Sequence, residues 1–202
     1  PPVSAQNKCY IKLPEGEFTL VVMNDTPEEF GGRINFVGED NLNTFKALGV
    51  KDELRSQKLQ EHLQSKAEAG DYCIMEPDTL ALAVLRGVKV RPEQIDYYYD
   101  MPQTDISDEA IIVPARPENV ISQVNITAHV KGLKYARGTT LSFLRGVAAG
   151  HMIGKEENTL EQTTQAFILN NREFDPGSDS DGTIKANFLS FGLVGDGNTD
   201  SR

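Results

Sequence analysis

Three aspartates, Asp175, Asp179 and Asp181, crowd together in FDPGSDSDG and are the best carboxylate set for a cation. Ca²⁺ takes six to eight oxygens, so spacing decides the matter. An EF-hand loop with Gly182 at its sixth position requires acids at 177 and 188, where the chain has Gly177 and Phe188. The same residues suit a hairpin loop, with Asp181-Gly182 as the turn dipeptide between two strand-like runs. The hairpin is the reading adopted, and no metal is expected to drive folding. Tyr97, Tyr98 and Tyr99, flanked by Asp96 and Asp100, are candidate interaction residues. Tyrosine joins an apolar ring to a polar tip, which serves protein interfaces and sugar stacking. In an extended segment they point alternately, so at least one is expected inside.

The remaining chemistry is sparse. His62, His129 and His151 share no metal-ligand spacing and read as structural or solvent-facing. The nucleophile elbow G-x-S-x-G is absent, as is the phosphate loop G-x-x-x-x-G-K-S/T. Gly192, Gly195 and Gly197 do not form a dinucleotide fingerprint. Cys9 and Cys73 form no C-x-x-C motif; they read as buried thiols, with one disulfide as the alternative. No catalytic apparatus and no cofactor follow from these residues, so a non-enzymatic binding or structural protein is expected.

The chain has 202 residues, enough for one large domain or two small ones. Acidic side chains number 30 against 20 basic ones, a net charge of -10 without a Lys/Arg cluster. That balance argues against nucleic acid and against anionic membrane surfaces. The longest purely apolar run, residues 80–85, is far below the roughly 18 residues of a membrane helix. No leader-like segment is visible, and the chain begins at Pro1, so either removal of a Met before Pro1 or a mature or trimmed product is expected.

Most positioning elements read as strands. Residues 17–24 (EFTLVVMN), 33–37 and 79–90 are rich in β-formers, with Gly87 as a bulge or bend. The clearest signal is SQVNITAHVK, residues 122–131. Val124, Ile126, Ala128 and Val130 alternate with Asn125, Thr127 and His129, which predicts one dry and one wet face. Further strands are expected at 139–144, 147–153, 164–170 and 183–191, with an extended stretch at 110–114. One segment, 52–69, lacks Gly and Pro and carries Leu59, Leu63 and Ala67 at helical spacing. It predicts a surface helix capped by Asp52 and ended by Gly70. The Pro-rich stretch 101–119 is read as a connection between domains 1–104 and 105–202.

The run VNITAHVKGLKYARGTTLSFLRGVAAG resembles the fimbrillin-like surface lipoproteins of Bacteroidales, of the fimbrial anchor or minor-subunit type. The carrying residues are Gly132, Leu133, Tyr135, Ala136, Leu144 and Gly146, with Phe191 and Gly192 ending a late strand. PEGEFTLVVMND and MEPDTL resemble the family's early strand and its Pro-Asp-x-Leu step. Arg145 stands where the family has Ser, and Cys9 lacks a lipobox context. The resemblance implies a mainly β chain with two transthyretin-like β-sandwich domains and one inserted helix. It implies export to the cell surface and outer membrane, in adhesion or fimbrial assembly. It also implies strand exchange with other fimbrial or surface subunits, and membrane contact only through a lipid anchor outside this chain. The opening and closing strands of the family fold are expected to be missing, leaving an open groove. A self-assembling virion or tail protein and a carbohydrate-binding β-sandwich are the alternatives.

Overall fold

The computed structural model describes residues 11, 13–64, 71–90, 113–136 and 140–194. Cys9, Tyr97, Tyr98, Tyr99, Gly195, Gly197, the 65–70 end of the expected helix, residues 110–112 and the expected 104/105 boundary lie outside them. The described chain is mainly β. In order it forms β1 (Gly16–Met23), β2 (Ile34–Val37), β3 (Lys46–Gly49), α1 (Glu53–Leu63), β4 (Cys73–Ile74), β5 (Ala81–Val90) and β6 (Glu118–Asn119). Then follow β7 (Ser122–Val130), β8 (Thr140–Ala148), β9 (Gly150–Met152), β10 (Glu157–Asn158), β11 (Gln162–Leu169), β12 (Asn171–Phe174) and β13 (Gly182–Ser190).

The chain groups into two compact units, and neither is a consecutive half. One unit is Pro1–Val22 with Ala83–Pro117; the other is Met23–Leu82 with Glu118–Arg202. The reason lies in the pairing. β3 pairs antiparallel with β9, and β4 pairs parallel with β11, so early and late strands share sheets. In the first unit, most of β1 lies beside residues 83–90 of β5 in one sheet. Gly87, at φ +69, makes the expected bend, and Lys89 faces Glu17 at 3.7 Å.

The second unit is layered. β11 sits between β4 and β8 in one sheet; β13 sits between β12 and β7 in another. The sheets meet through Phe167 and Phe188, whose rings stack with centroids 5.0 Å apart. Val124 and Ile126 of β7, with Leu144 and Leu169, pack around them. On the opposite face of the first sheet, Ala166 joins Leu59 of α1 and Cys73, with Leu63 and Phe143 beside them. A fully buried side chain such as Leu59 contributes about 1.5–3 kcal/mol. A further sheet, in the order β10-β9-β3-β2, adjoins these layers along the chain.

The helix forms for local reasons. Asp52 accepts from the Arg55 N–H at 2.9 Å, the expected N-cap, worth about 1 kcal/mol. Leu59 is fully buried, as its place in the stripe requires. Ser56 is also buried: its hydroxyl donates to the Asp52 carbonyl and accepts from the Cys73 N–H at 2.9 Å. Cys73 is a free, buried thiol, and burial pushes its pKa up to about 11.

Candidate functional site: a free strand edge

A strand edge can bind another chain only if its outward N–H and C=O groups are unclaimed. The sandwich of the second unit can be surveyed edge by edge. The outer side of β8 is partly taken. Ala148 donates to the Gly192 carbonyl at 2.9 Å, and Val194 donates to the Gly146 carbonyl at 3.0 Å, so residues 192–194 form a short strap there. The far side of β11 is held by β4, and beyond it Arg55 Nη1 donates to the Ala166 carbonyl at 3.4 Å. β12 is an edge too, but it has only four residues and all are exposed.

β7 differs. Its nine residues pair with β13 without a register shift, from Ser122↔Ser190 to Val130↔Gly182. On its other side it has no strand partner among the described residues. It carries no proline and no bulge, two devices that commonly blunt an edge. Its faces match the sequence pattern: Asn125, Thr127 and His129 are exposed, while Val124, Ile126, Ala128 and Val130 point inward. Those four are half-buried rather than fully buried, and among the described residues no strand flanks them on that side.

Both ends of this strand are fixed. At its C-terminal end, Gly132 turns at φ +73 and donates its N–H to Asp181 Oδ1 at 2.8 Å. That bond holds the Asp181 carboxyl below the usual range. The β12–β13 connection is therefore the hairpin loop expected from FDPGSDSDG, tightened by Asp175 N–H on the Asp181 carbonyl at 3.0 Å. Beside it, the Lys185 ammonium bonded to Glu173 holds that carboxyl down. At the N-terminal end, Phe191 is buried and its carbonyl accepts from Asn158 Nδ2 at 2.6 Å. Asn158 Oδ1 in turn lies 3.1 Å from Nδ1 of His151, a ring that is buried rather than solvent-facing. Burial pushes the His151 imidazole below its usual range, against opposing pulls from Asn158, Glu156 and Glu157.

The motif residues of the family resemblance fall at several places in the second unit. Leu133 is fully buried under the Gly132 turn, and Tyr135 is 75 % exposed with Lys134 over its ring. Leu144 lies in the sandwich core. Gly146, at φ +77, is the extra residue where the β8–β11 register shifts. An L side chain there is strained, which accounts for glycine. Gly192, at φ +94, starts the strap. Sequence reading missed the strap itself and also the meeting of Arg145 with Asp71 at 3.2 Å, because no local pattern marks either. Among the described residues no group of three or more His, Cys, Asp or Glu side chains is gathered for a metal.

Comparison with known proteins adds two findings. Residues 3–168 match the family described as Domain of unknown function (DUF5119). The fold is similar to the crystal structure of a protein described as a putative adhesin from Bacteroides ovatus ATCC 8483, with a TM-score of 0.58 at 18 % identity. That similarity covers 95 % of this chain and 55 % of the other, so this chain spans about half that protein's length. No curated protein matches.

Proposed function

We propose that this chain, which belongs to the DUF5119 family, is a non-enzymatic surface protein that works by accepting a β-strand from another protein. On this reading it is exported and acts in adhesion or in fimbrial assembly or anchoring, as fimbrillin-like lipoproteins do. The partner is another surface subunit. One observation carries the proposal: β7 offers a nine-residue edge with a half-buried apolar face and no second strand beside it among the described residues. Main-chain hydrogen bonds supply affinity in strand addition, and side chains at alternate positions supply specificity. The fold likeness to the Bacteroides ovatus protein supports an adhesin-type role. The acidic balance supports solubility before assembly.

The test is a displayed library of eleven-residue peptides with alternating apolar positions, read by hydrogen exchange. Selected peptides should slow exchange at amides of β7 and raise the melting temperature. At a 100-fold excess over its dissociation constant, such a peptide adds about 2.7 kcal/mol of stability. Selection of no peptide, or protection confined to other strands, overturns strand acceptance. Surface labelling of cells carrying the native gene tests export separately.

A further inference from the structure

Residues opposite each other in an antiparallel pair exchange both main-chain bonds or neither. Leu189 of β13 spends both of its own away from β7. Its N–H donates to Glu76 Oε1 at 2.8 Å, and its carbonyl accepts from Gln165 Nε2. Its partner in register is Gln123, so the N–H and C=O of Gln123 also point away from the ladder. The alternation gives the same outward direction to Asn125, Thr127 and His129. Among the described residues no backbone hydrogen bond and no strand meets these outward groups. The Leu189 rim is closed from within by two side chains, whereas the β7 rim is open along its length.

The composition of the rim selects its occupant. Ser122–Val130 contains no Asp, Glu, Lys or Arg, in a chain with a net charge of -10. A partner strand that relied on charge would find no ion pair on β7. A second β7 would meet no like charge, and the lysines that commonly guard an edge are missing from it.

The strand is also complementary to itself. A two-fold axis at Ile126, the middle of the nine residues, sets Gln123 opposite His129 of the second copy and Asn125 opposite Thr127 of the second copy. Only this antiparallel register pairs all four outward residues. On the inner face Ile126 meets Ile126 of the second copy, and Val124 meets Ala128, at the close spacing of about 4.5 Å between Cα atoms. Apolar thus faces apolar, and polar faces polar, with Asn and Thr placed to share hydrogen bonds. We infer that β7 pairs with β7 of a second copy of this chain, in a two-fold dimer whose β12-β13-β7 sheet continues across the axis. The inference rests on the proposed reading of β7 as a strand-accepting edge and names a second copy as an occupant of that edge.

The test is sedimentation equilibrium of the full chain from micromolar to millimolar concentration, with residue-resolved amide exchange. A reversible dimer should form, and added salt should strengthen it by screening two acidic chains. In the dimer the amides of Gln123, Asn125, Thr127 and His129 should be protected, and dilution should release them. Asn125→Asp with Thr127→Asp sets like charges opposite each other across the axis and should weaken the dimer by at least tenfold. Asn125→Lys with Thr127→Asp sets opposite charges there and should keep it. Both residues are exposed, and Thr127 lies opposite Lys185 in its own sheet, so both double variants should fold, as read by circular dichroism. A monomer at every concentration, a dimer indifferent to the like-charge variant, or protection confined to other strands overturns the inference. If the chain is monomeric while a selected peptide still protects β7, self-pairing alone falls; if neither the chain nor any peptide pairs there, strand acceptance falls with it.

Discussion

β11 and β7 are both long strands of the same sandwich, yet they solve opposite problems. In β11, Thr163 through Phe167 are all buried, because α1 covers one face, β13 covers the other, and β4 and β8 flank it within the sheet. In β7, every second residue is exposed and one edge is open among the described residues. A strand covered on both faces gains stability at each position, but its sequence loses the alternating signal. A strand wet on one face keeps that signal and keeps its capacity to pair. The inner strand therefore carries stability, and the outer one carries the open edge on which the proposed association rests.

Substitutions can break this comparison. Phe167→Ala should have the largest effect, about 3–5 kcal/mol in urea unfolding, since it deletes the ring stacked on Phe188. Ile126→Ala on β7 should cost less, about 1–2 kcal/mol, because its side chain is half-buried. Equal losses at the two sites would erase the distinction drawn between the strands.

Two titrations sharpen it. The buried His151 takes up a proton less readily folded than unfolded, where its pKa is 6.5. Between its lowered folded value and 6.5 the unfolded chain binds more protons, so stability should fall as pH drops below 6.5. Urea midpoints between pH 7.5 and 5 should show this slope, and His151→Gln should flatten it. Cys73, its thiol at about 11, should resist thiol reagents at neutral pH until the chain unfolds. Prompt labelling of the native protein would contradict its place beneath α1. The smallest effect belongs to the wet face. Thr127→Asp lies opposite Lys185 and should shift stability by no more than about 0.5 kcal/mol.

Local signals were legible and long-range ones were not. The alternation of β7, the Asp52 cap, the bend at Gly87 and the hairpin loop of FDPGSDSDG each depend on a few neighbouring residues and are found, but Asp181-Gly182 is not the turn itself: Gly182 pairs with Phe174 as the first residue of β13, and the loop is residues 175–181. The division at 104/105 was read from strand alternation in both halves and from the Pro-rich stretch, and its boundary lies outside the described residues. It could not register that Cys73 and Ile74 lie parallel to Thr164 and Gln165, some 90 positions later. Two-residue strands such as β4, β6 and β10 carry no period at all. The strands expected at 139–144 and 147–153 are in the structure β8 with its bulge, followed by β9. Gly146 falls in the gap between those two expected strands, but it is where one strand takes an extra residue and continues. The free edge of β7 was legible only as an alternating strand, since what lies beside a strand is a property of the whole fold.

The strap at 192–194 bears on how far association can run. It claims the rim of β8 at Gly146 and Ala148, and the Asn158 bond to the Phe191 carbonyl anchors its root. If β7 accepts a strand as proposed, a rim closed from within at Gly146 and Ala148 removes one place where a second strand could add among the described residues, and so favours pairing over extension.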